Sequence, residues 1–457
     1  MTARVRAAAE AARAAGALSR LTGRGGGTTL PGHVLLRLAP DALPELAAGL
    51  ADGVALISAT NGKTTSAAML ATILDADRSV CRNVAGANLI TGVASALIAR
   101  PADATVGVLE VDEAALTAVA QSVSPRVIAL GNLFRDQLDR HGELEMVADR
   151  WRLLAADLPE ATVLVLGADD PVIDALGEGR SRVLRYGIDD PAVARAARAA
   201  AADSTHCVRC GAPYAYRAVY LGHLGDYDCP NGDHARGSLD FAAREVHIDG
   251  IAGTTFRLDA PDGSHAMRLP LPGLYNVENA LAAITVAHVL GVPVARAVER
   301  LAGFSAAFGR FERLSVDGRE AVLVLFKNPT GANEALRAIA GDLVGSRVVL
   351  ALNDRIADGR DVSWIWDIDL EGVLDGAAGI VCTGTRAADL AVRLRYADVP
   401  AERIDIRTPP EAAFDAAVAK AEPGGRVYVL ATYTAMLDLH RALAERGLTR
   451  SFWEGTR

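Results

Sequence analysis

The segment Leu56-Ile57-Ser58-Ala59-Thr60-Asn61-Gly62-Lys63-Thr64-Thr65 constrains the fold more than any other part of the chain. It follows the apolar run Val54-Ala55-Leu56-Ile57 and opens an Ala-rich helical stretch that starts at Thr64. A strand that turns through a short loop into a helix presents the N–H groups of the first helical turn to whatever lies in front, and the helix dipole favours an anion there. Gly62 lets the backbone approach a phosphate closely, Lys63 is placed to reach the terminal phosphates, and Thr64 offers a hydroxyl to Mg2+. Thr60, Asn61 and Thr65 complete the loop. A Thr/Asn-rich helix cap that happens to hold a lysine is the plainer alternative. Strand, loop, Gly-Lys-Thr and helix nevertheless stand in the order that nucleotide binding requires, so a nucleotide with Mg2+ is the expected ligand.

From about residue 50 short apolar runs alternate with helical stretches: residues 106–111, 127–130 and 163–166 are strand candidates, each leading into a helix. Such alternation predicts an α/β fold, a parallel sheet with helices on both faces. Residues 204–240 interrupt it with cysteines, tyrosines and the turn-rich Cys229-Pro230-Asn231-Gly232-Asp233, and read as a small inserted module. A strongly helical stretch spans 276–290, and a second alternating series has strands near 322–326, 347–352, 379–383 and 427–431. At 457 residues the chain is too long for one compact domain. The expected division is an N-terminal helical segment (1–45), a central ATP-binding domain (46–305) carrying the insertion, and a smaller α/β domain (306–457).

The net charge of −9 argues against a general nucleic-acid binder, and no run of 18 apolar residues is present to span a membrane. The first 30 residues carry Arg4, Arg6, Arg13, Arg20 and Arg24 against a single Glu10. That composition suits a transit peptide or a helix near anionic headgroups, but an ordinary terminal helix packed on its own domain, ended by the glycines of 23–27, is the preferred reading. A cytoplasmic protein, with peripheral association at the inner face of the membrane as the further option, is the expected setting.

Three of five cysteines cluster, as Cys207-Val208-Arg209-Cys210 and Cys229, with the spacing of a ribbon that holds structural Zn2+. Zinc wants a fourth ligand. Asp233 is the first candidate, and His234 and His223 are the others. A metal-free loop is the alternative. Cys81 and Cys382 are isolated and read as buried small hydrophobes; neither sits in the Gly-x-Cys-x-Gly elbow of a nucleophile.

The loop with its Asn-Gly-Lys-Thr-Thr resembles that of the Mur ligases and their folylpolyglutamate synthase relatives, with Ala59 where those loops usually begin with glycine. Further segments follow in that family's order. Val108-Leu109-Glu110-Val111-Asp112-Glu113 ends a strand with carboxylates, and the resemblance implies that Glu110 holds Mg2+. The segment from Asn132 to Gly142, with Gln137 in place of a histidine, and Ala168-Asp169-Asp170-Pro171 are similar to other family segments. Gly273-Leu274-Tyr275-Asn276-Val277-Glu278-Asn279-Ala280 resembles the helix start that contacts adenine, which implicates Asn276 and Asn279. Gly309-Arg310 resembles the hinge arginine that reaches the nucleotide.

Ordinary Mur ligases begin with a full domain for the nucleotide-sugar end of their substrate, whereas about 50 residues precede the loop here. The second half narrows the resemblance to the MurT family. Its marks are Phe326-Lys327-Asn328-Pro329-Thr330-Gly331, Thr383-Gly384-Thr385-Arg386, Tyr433-Thr434 and the segment running from Leu352 through Gly359-Arg360-Asp361-Val362-Ser363-Trp364 to Asp367. Asn231 stands where that pattern places a fourth cysteine. Members are synthetase subunits of lipid II isoglutaminyl synthase, partnered by the glutaminase GatD. The resemblance implies amidation of the D-glutamate α-carboxylate of lipid II through an acyl phosphate, with Lys63 and Glu110 serving the phosphoryl transfer. Asp361 would complete the Cys-His pair of a GatD-like partner. An amino-acid ligase of Mur or folylpolyglutamate type acting without a partner is the alternative, and a non-catalytic nucleotide-regulated adaptor is a third reading.

Overall fold

The computed structural model describes residues 1–21, 29–83, 86–135, 144–195, 202–304 and 310–449. Its centre is β1 (Gly53–Ser58), whose run of apolar residues is buried on both faces as an interior parallel strand demands. Around it lie β2 (Val80–Arg82), β3 (Val106–Glu110), β4 (Val127–Leu130), β5 (Val163–Gly167) and β6 (Val183–Ile188). Beyond the insertion come β9 (Phe241–Asp249), β10 (Gly253–Ala260) and β11 (Gly263–Leu269), giving the sheet order β11-β10-β9-β6-β5-β4-β1-β3-β2 among the described residues. The strands from β9 to β2 in that order are parallel, but β10 and β11 add antiparallel ribbons at the edge, so the sheet is mixed rather than wholly parallel.

Helix Lys63–Leu74 packs against helix Leu274–Val289, which is apolar nearly all round and buried along almost its whole length. The N-terminal helix Ala3–Leu21 buries Val5, Ala8, Ala9 and Ala12 against the same domain, and Arg4 and Arg13 donate to the carbonyls of Leu38 and Ile98. That is the packed terminal helix expected; residues 23–27 lie outside the described residues. None of the described helices is long and apolar enough to cross a membrane.

The insertion contains β7 (Ala215–Leu221) and β8 (Leu224–Asp228), an antiparallel hairpin whose far end carries the cysteines. A second sheet follows, with β12 (Arg310–Val316), β13 (Arg319–Leu325), β14 (Arg347–Ala351), β15 (Gly379–Thr383), β16 (Ile404–Ile406) and β17 (Arg426–Ala431) in the order β12-β13-β17-β14-β15-β16. All neighbours pair in parallel except β12 with β13. The boundary expected near residue 306 lies outside the described residues.

Candidate active site

The phosphate loop runs from the end of β1 into helix Lys63–Leu74, and its backbone is set by two residues. Gly62 caps the helix at φ +91°, and a Cβ there would stand 1.9 Å from Asn279 Oδ1, so only glycine fits. Ala59, in place of the usual glycine, is absent from the left-handed positions, which explains how the loop tolerates a side chain there. Asn132, after β4, clamps the loop: its Oδ1 accepts from Asn61 N at 2.9 Å and its Nδ2 donates to Asn61 O at 3.1 Å. Phe134 N donates to Thr60 Oγ1 at 3.0 Å. The side-chain Nδ2 of Asn61 is buried and has no hydrogen-bond partner among the described residues.

Lys63 is buried and donates from Nζ to the carbonyl of Ala59 and, at 2.7 Å, to Glu113 Oε2. Burial alone would raise the Glu113 carboxyl, but the charges of Lys63 and Lys327 outweigh it and hold the group below its ordinary value. Glu110 ends β3 in register with Ile57 of β1, beside the start of the loop. Asn83 fixes its backbone through bonds of 2.9 and 2.8 Å, and Asn88 Nδ2 reaches its Oε1 at 3.5 Å. Glu110 is buried, and Thr64 stands at the first helical turn. Sequence reasoning assigned a role to Glu110 but none to Glu113, although both lie in one acidic run.

The opposite wall of the cleft comes from the second sheet. Asn328 Nδ2 donates to Asn61 Oδ1 at 3.0 Å, and Asn328 Oδ1 accepts from Gly331 N at 2.8 Å as the cap of helix Pro329–Ile339. Two helix N-termini open on one cleft with Lys327 in its lining, and Lys63 lies beside it on Glu113, an arrangement suited to a polyanion. A buried Arg195–Glu334 ion pair holds the two sheets' domains together behind it. The cleft's apolar side is lined by Phe134, Leu221, Leu224 and Phe326. Asn276 and Asn279 face it from helix Leu274–Val289, and Asn279 Oδ1 accepts from Ser66 of the loop helix at 3.2 Å. The Arg310 side chain and the segment 136–143, with Gln137 and His141, lie outside the described residues.

At the carboxyl ends of β14, β15 and β17 a second functional segment is anchored. Asn353 N donates to Thr432 Oγ1 at 3.0 Å, and Thr385 N donates to Asn353 Oδ1 at 2.9 Å. Asp358 is buried and accepts from Thr434 N at 2.8 Å and from the Thr434 hydroxyl, so its carboxylate ties the segment to the helix after β17. Asp361 differs: it is exposed, and its Oδ1 accepts from Ser363 N at 2.8 Å at the head of the short helical turn Ser363–Asp367. That bond holds its carboxyl below the usual value, so it stays charged at neutral pH. Buried Arg393 braces the same turn through the carbonyls of Ile365 and Ile368. Tyr433 is pushed up by burial and then by the carboxylates of Asp358 and Glu110.

In the insertion the thiols of Cys207, Cys210 and Cys229 lie within 4.8 Å of one another, a set that fits a soft divalent ion. The Asp233 carboxylate bonds to the Cys210 thiol, and Asn231 Nδ2 donates to Cys210 Sγ at 3.4 Å. The two histidine candidates are engaged elsewhere. His234 Nδ1 pairs with Tyr214 Oη at 2.6 Å, and His223, fully buried at the hairpin tip, sets Nε2 3.3 Å from Asp170 Oδ2.

A loop of phosphate-binding type on a largely parallel sheet, faced across a cleft by a second α/β domain, is the arrangement of a Mur-type ligase, and the family model for the Mur ligase middle domain matches residues 57–287. The model for the MurT ligase C-terminal domain matches residues 325–436. Lipid II isoglutaminyl synthase (glutamine-hydrolyzing) subunit MurT of Streptococcus pneumoniae is 32% identical over 455 residues, 95% of either chain. The chain belongs to the MurT family. Among solved structures, a pseudomurein peptide ligase type C from Methanothermus fervidus superposes with a TM-score of 0.67 at 22% identity, covering 86% of this chain and 78% of that one. MurF ligase from Thermotoga maritima in complex with ADP gives 0.63 at 15% identity, covering 91% and 85%. Both share the fold.

Proposed function

We propose that the chain is the synthetase subunit of a lipid II isoglutaminyl synthase, converting the α-carboxylate of D-glutamate in the lipid II stem peptide to the amide. One observation carries this reading: the same chain holds a phosphate loop cleft and, on the MurT-type domain, an exposed, charged Asp361 on a braced turn. The carboxylate attacks the terminal phosphorus of ATP, ADP leaves, and the acyl phosphate forms. Ammonia then attacks the acyl carbon, phosphate leaves with the C–O electron pair, and a proton is lost from nitrogen. Thr60, Asn61, Gly62, Lys63, Thr64 and Thr65 bind and orient the phosphates, with Lys63 balancing charge that develops on the transferred group. Mg2+ held by Thr64 and Glu110 would neutralise phosphate charge. Asn276, Asn279 and Arg310 are assigned to the nucleoside.

Ammonia is assigned to a GatD-like glutaminase, in whose Cys-His pair Asp361 orients the imidazole. Near Asp361 the exposed Ile356, Trp366 and Tyr396 (71, 49 and 73% accessible) offer apolar surface for such a partner. Residues 1–45, 46–305 and 306–457 are assigned to packing, phosphoryl transfer and partner contact respectively. A cytoplasmic enzyme working at the inner face of the membrane suits a lipid-linked substrate.

The test supplies the chain, with and without the glutaminase, with ATP, Mg2+ and lipid II. Amidated product by mass is expected from ammonium with the chain alone, and from glutamine only with the partner. Incorporation of an amino acid, or no mass change, would reject the reading.

Zinc is assigned to Cys207, Cys210, Cys229 and Asp233. Metal analysis is expected to find one zinc per chain, and Cys229→Ser to lower the Tm by about 4–8 °C, the effect of about 2 kcal/mol in a domain of this size. A metal-free wild type with an unshifted variant would remove the assignment.

A further inference from the structure

The tip of hairpin β7–β8 lies at the end opposite the cysteines, and its leucines, Leu221 and Leu224, line the cleft. His223 stands between them in sequence and is fully buried. The turn is held on several sides. Tyr216 Oη donates to the carbonyl of His223 at 2.8 Å, and Gly225 N donates to Asp169 O at 2.8 Å. The His223 ring packs on Phe134 with 4.6 Å between centroids. Gly222 has φ +60°, and a Cβ there would stand 2.8 Å from the Phe134 ring, so nothing larger than glycine fits without moving that ring.

His223 Nε2 stands 3.3 Å from Asp170 Oδ2. The same oxygen accepts from Leu133 N at 2.8 Å, and Oδ1 accepts from Val172 N at 2.9 Å. A carboxylate only accepts, so the ring nitrogen is the donor. Nδ1 is buried with no hydrogen-bond partner among the described residues, which leaves the bond to Asp170 as the one the ring makes there. Asp170 thereby fixes the backbone after β4, and that backbone holds the phosphate loop. Asn132 O accepts from Thr60 N at 2.9 Å, the Asn132 side chain clamps Asn61, and Phe134 N donates to Thr60 Oγ1.

Resting on the reading of this cleft as the nucleotide site, we propose that His223 is a positioning residue for the phosphate loop. Its Nε2–H holds Asp170, Asp170 holds residues 132–134, and these set the loop where the phosphates of ATP meet it. No atom of His223 is exposed to the cleft, so it acts through the loop and never on the ligand. A loop held about 1 Å out of place can lose about 10²-fold in rate, because its donors no longer point at the charge they stabilise.

Two substitutions of like polarity separate this role from packing. Glutamine carries its amide nitrogen as many bonds from Cα as histidine carries Nε2 and can donate to Asp170, whereas asparagine ends one bond short. Isothermal titration of the full-length chain with Mg·ATP is read beside the KM values for ATP and lipid II in ammonium-driven amidation. His223→Gln is expected to bind ATP within about threefold of wild type, and His223→Asn at least about tenfold more weakly, the cost of one buried hydrogen bond unmade. The KM for ATP should rise with it while that for lipid II stays. Gly222→Ala keeps the histidine but crowds Phe134, and is expected to weaken ATP in the same direction, so the test survives a His223→Asn that does not fold. Wild-type ATP affinity in folded His223→Asn or Gly222→Ala overturns the assignment. So does a His223→Gln as impaired as His223→Asn, or an equal rise in both KM values, either of which marks a packing role. A wild type that does not bind Mg·ATP overturns instead the reading of the cleft on which the proposal rests.

Discussion

Lys63→Ala is expected to slow ATP-dependent amidation by about 10²–10³-fold, the usual loss when one preorganised charge is removed from a developing anion. The same change strands Glu113, which is buried and bonded to Lys63 Nζ at 2.7 Å. Removing one partner of such a pair costs about 3–5 kcal/mol, so a loss of activity alone would not identify the cause. The double variant Lys63→Ala/Glu113→Gln separates the two: it removes the stranded charge and should recover most of the stability while staying inactive. The sign of the pH dependence follows from the same pair. Glu113 is held below its ordinary value in the folded wild type, so the pair stabilises the fold above that value and the contribution is lost as pH falls through the depressed one. In Lys63→Ala the deficit should shrink as the pH falls, because protonating Glu113 removes the uncompensated charge. Denaturant unfolding of the three variants across pH, beside their rates, measures both effects. An active double variant would dismiss Lys63 from catalysis.

Asp361→Asn is expected to abolish glutamine-driven amidation in the complex, by about 10⁴-fold, while most of the ammonium-driven rate is kept. The substitution preserves shape, and the neighbouring turn is supported independently by Arg393, so the fold should survive. On the proposed reading, what changes is the charge offered to the partner's imidazole. Asp358 is the discriminating comparison, because its buried carboxylate holds Thr434 and has no exposed oxygen to lend. Asp358→Asn should lower the melting temperature and impair both nitrogen sources together. Equal loss with ammonium and glutamine in Asp361→Asn would make that residue structural.

The sequence disclosed what is local. A strand, a Gly-Lys-Thr turn and a helix start lie within ten residues, and β1 with helix Lys63–Leu74 follows them closely. Four strands of the second sheet, β13, β14, β15 and β17, were legible for the same reason, being short and largely buried apolar runs, whereas β12 and the half-exposed β16 were not. The strands β9, β10 and β11 were missed because their half-exposed, polar stretches after a turn-rich insertion give no apolar run. At the site, Glu113 and Lys327 stand in segments the sequence singles out, but that they act on each other emerges only when the ends of β3 and β13 are brought together by the fold. Spacing named His223 and His234 as metal candidates because it counts residues, and it cannot tell which way a hairpin tip turns.

That tip has a consequence for anyone wishing to rebuild this protein. Leu221 and Leu224 are walls of the cleft, and His223 between them reaches Asp170, whose Oδ2 also receives Leu133 N at 2.8 Å on the strand-end loop that clamps the phosphate loop. The cysteine hairpin, which reads as an appendage, is thus a structural continuation of the cleft itself. It is not a detachable module: a shortened version without it, or a chimera that borrows it from another scaffold, would lose one side of the pocket and the prop beneath its floor.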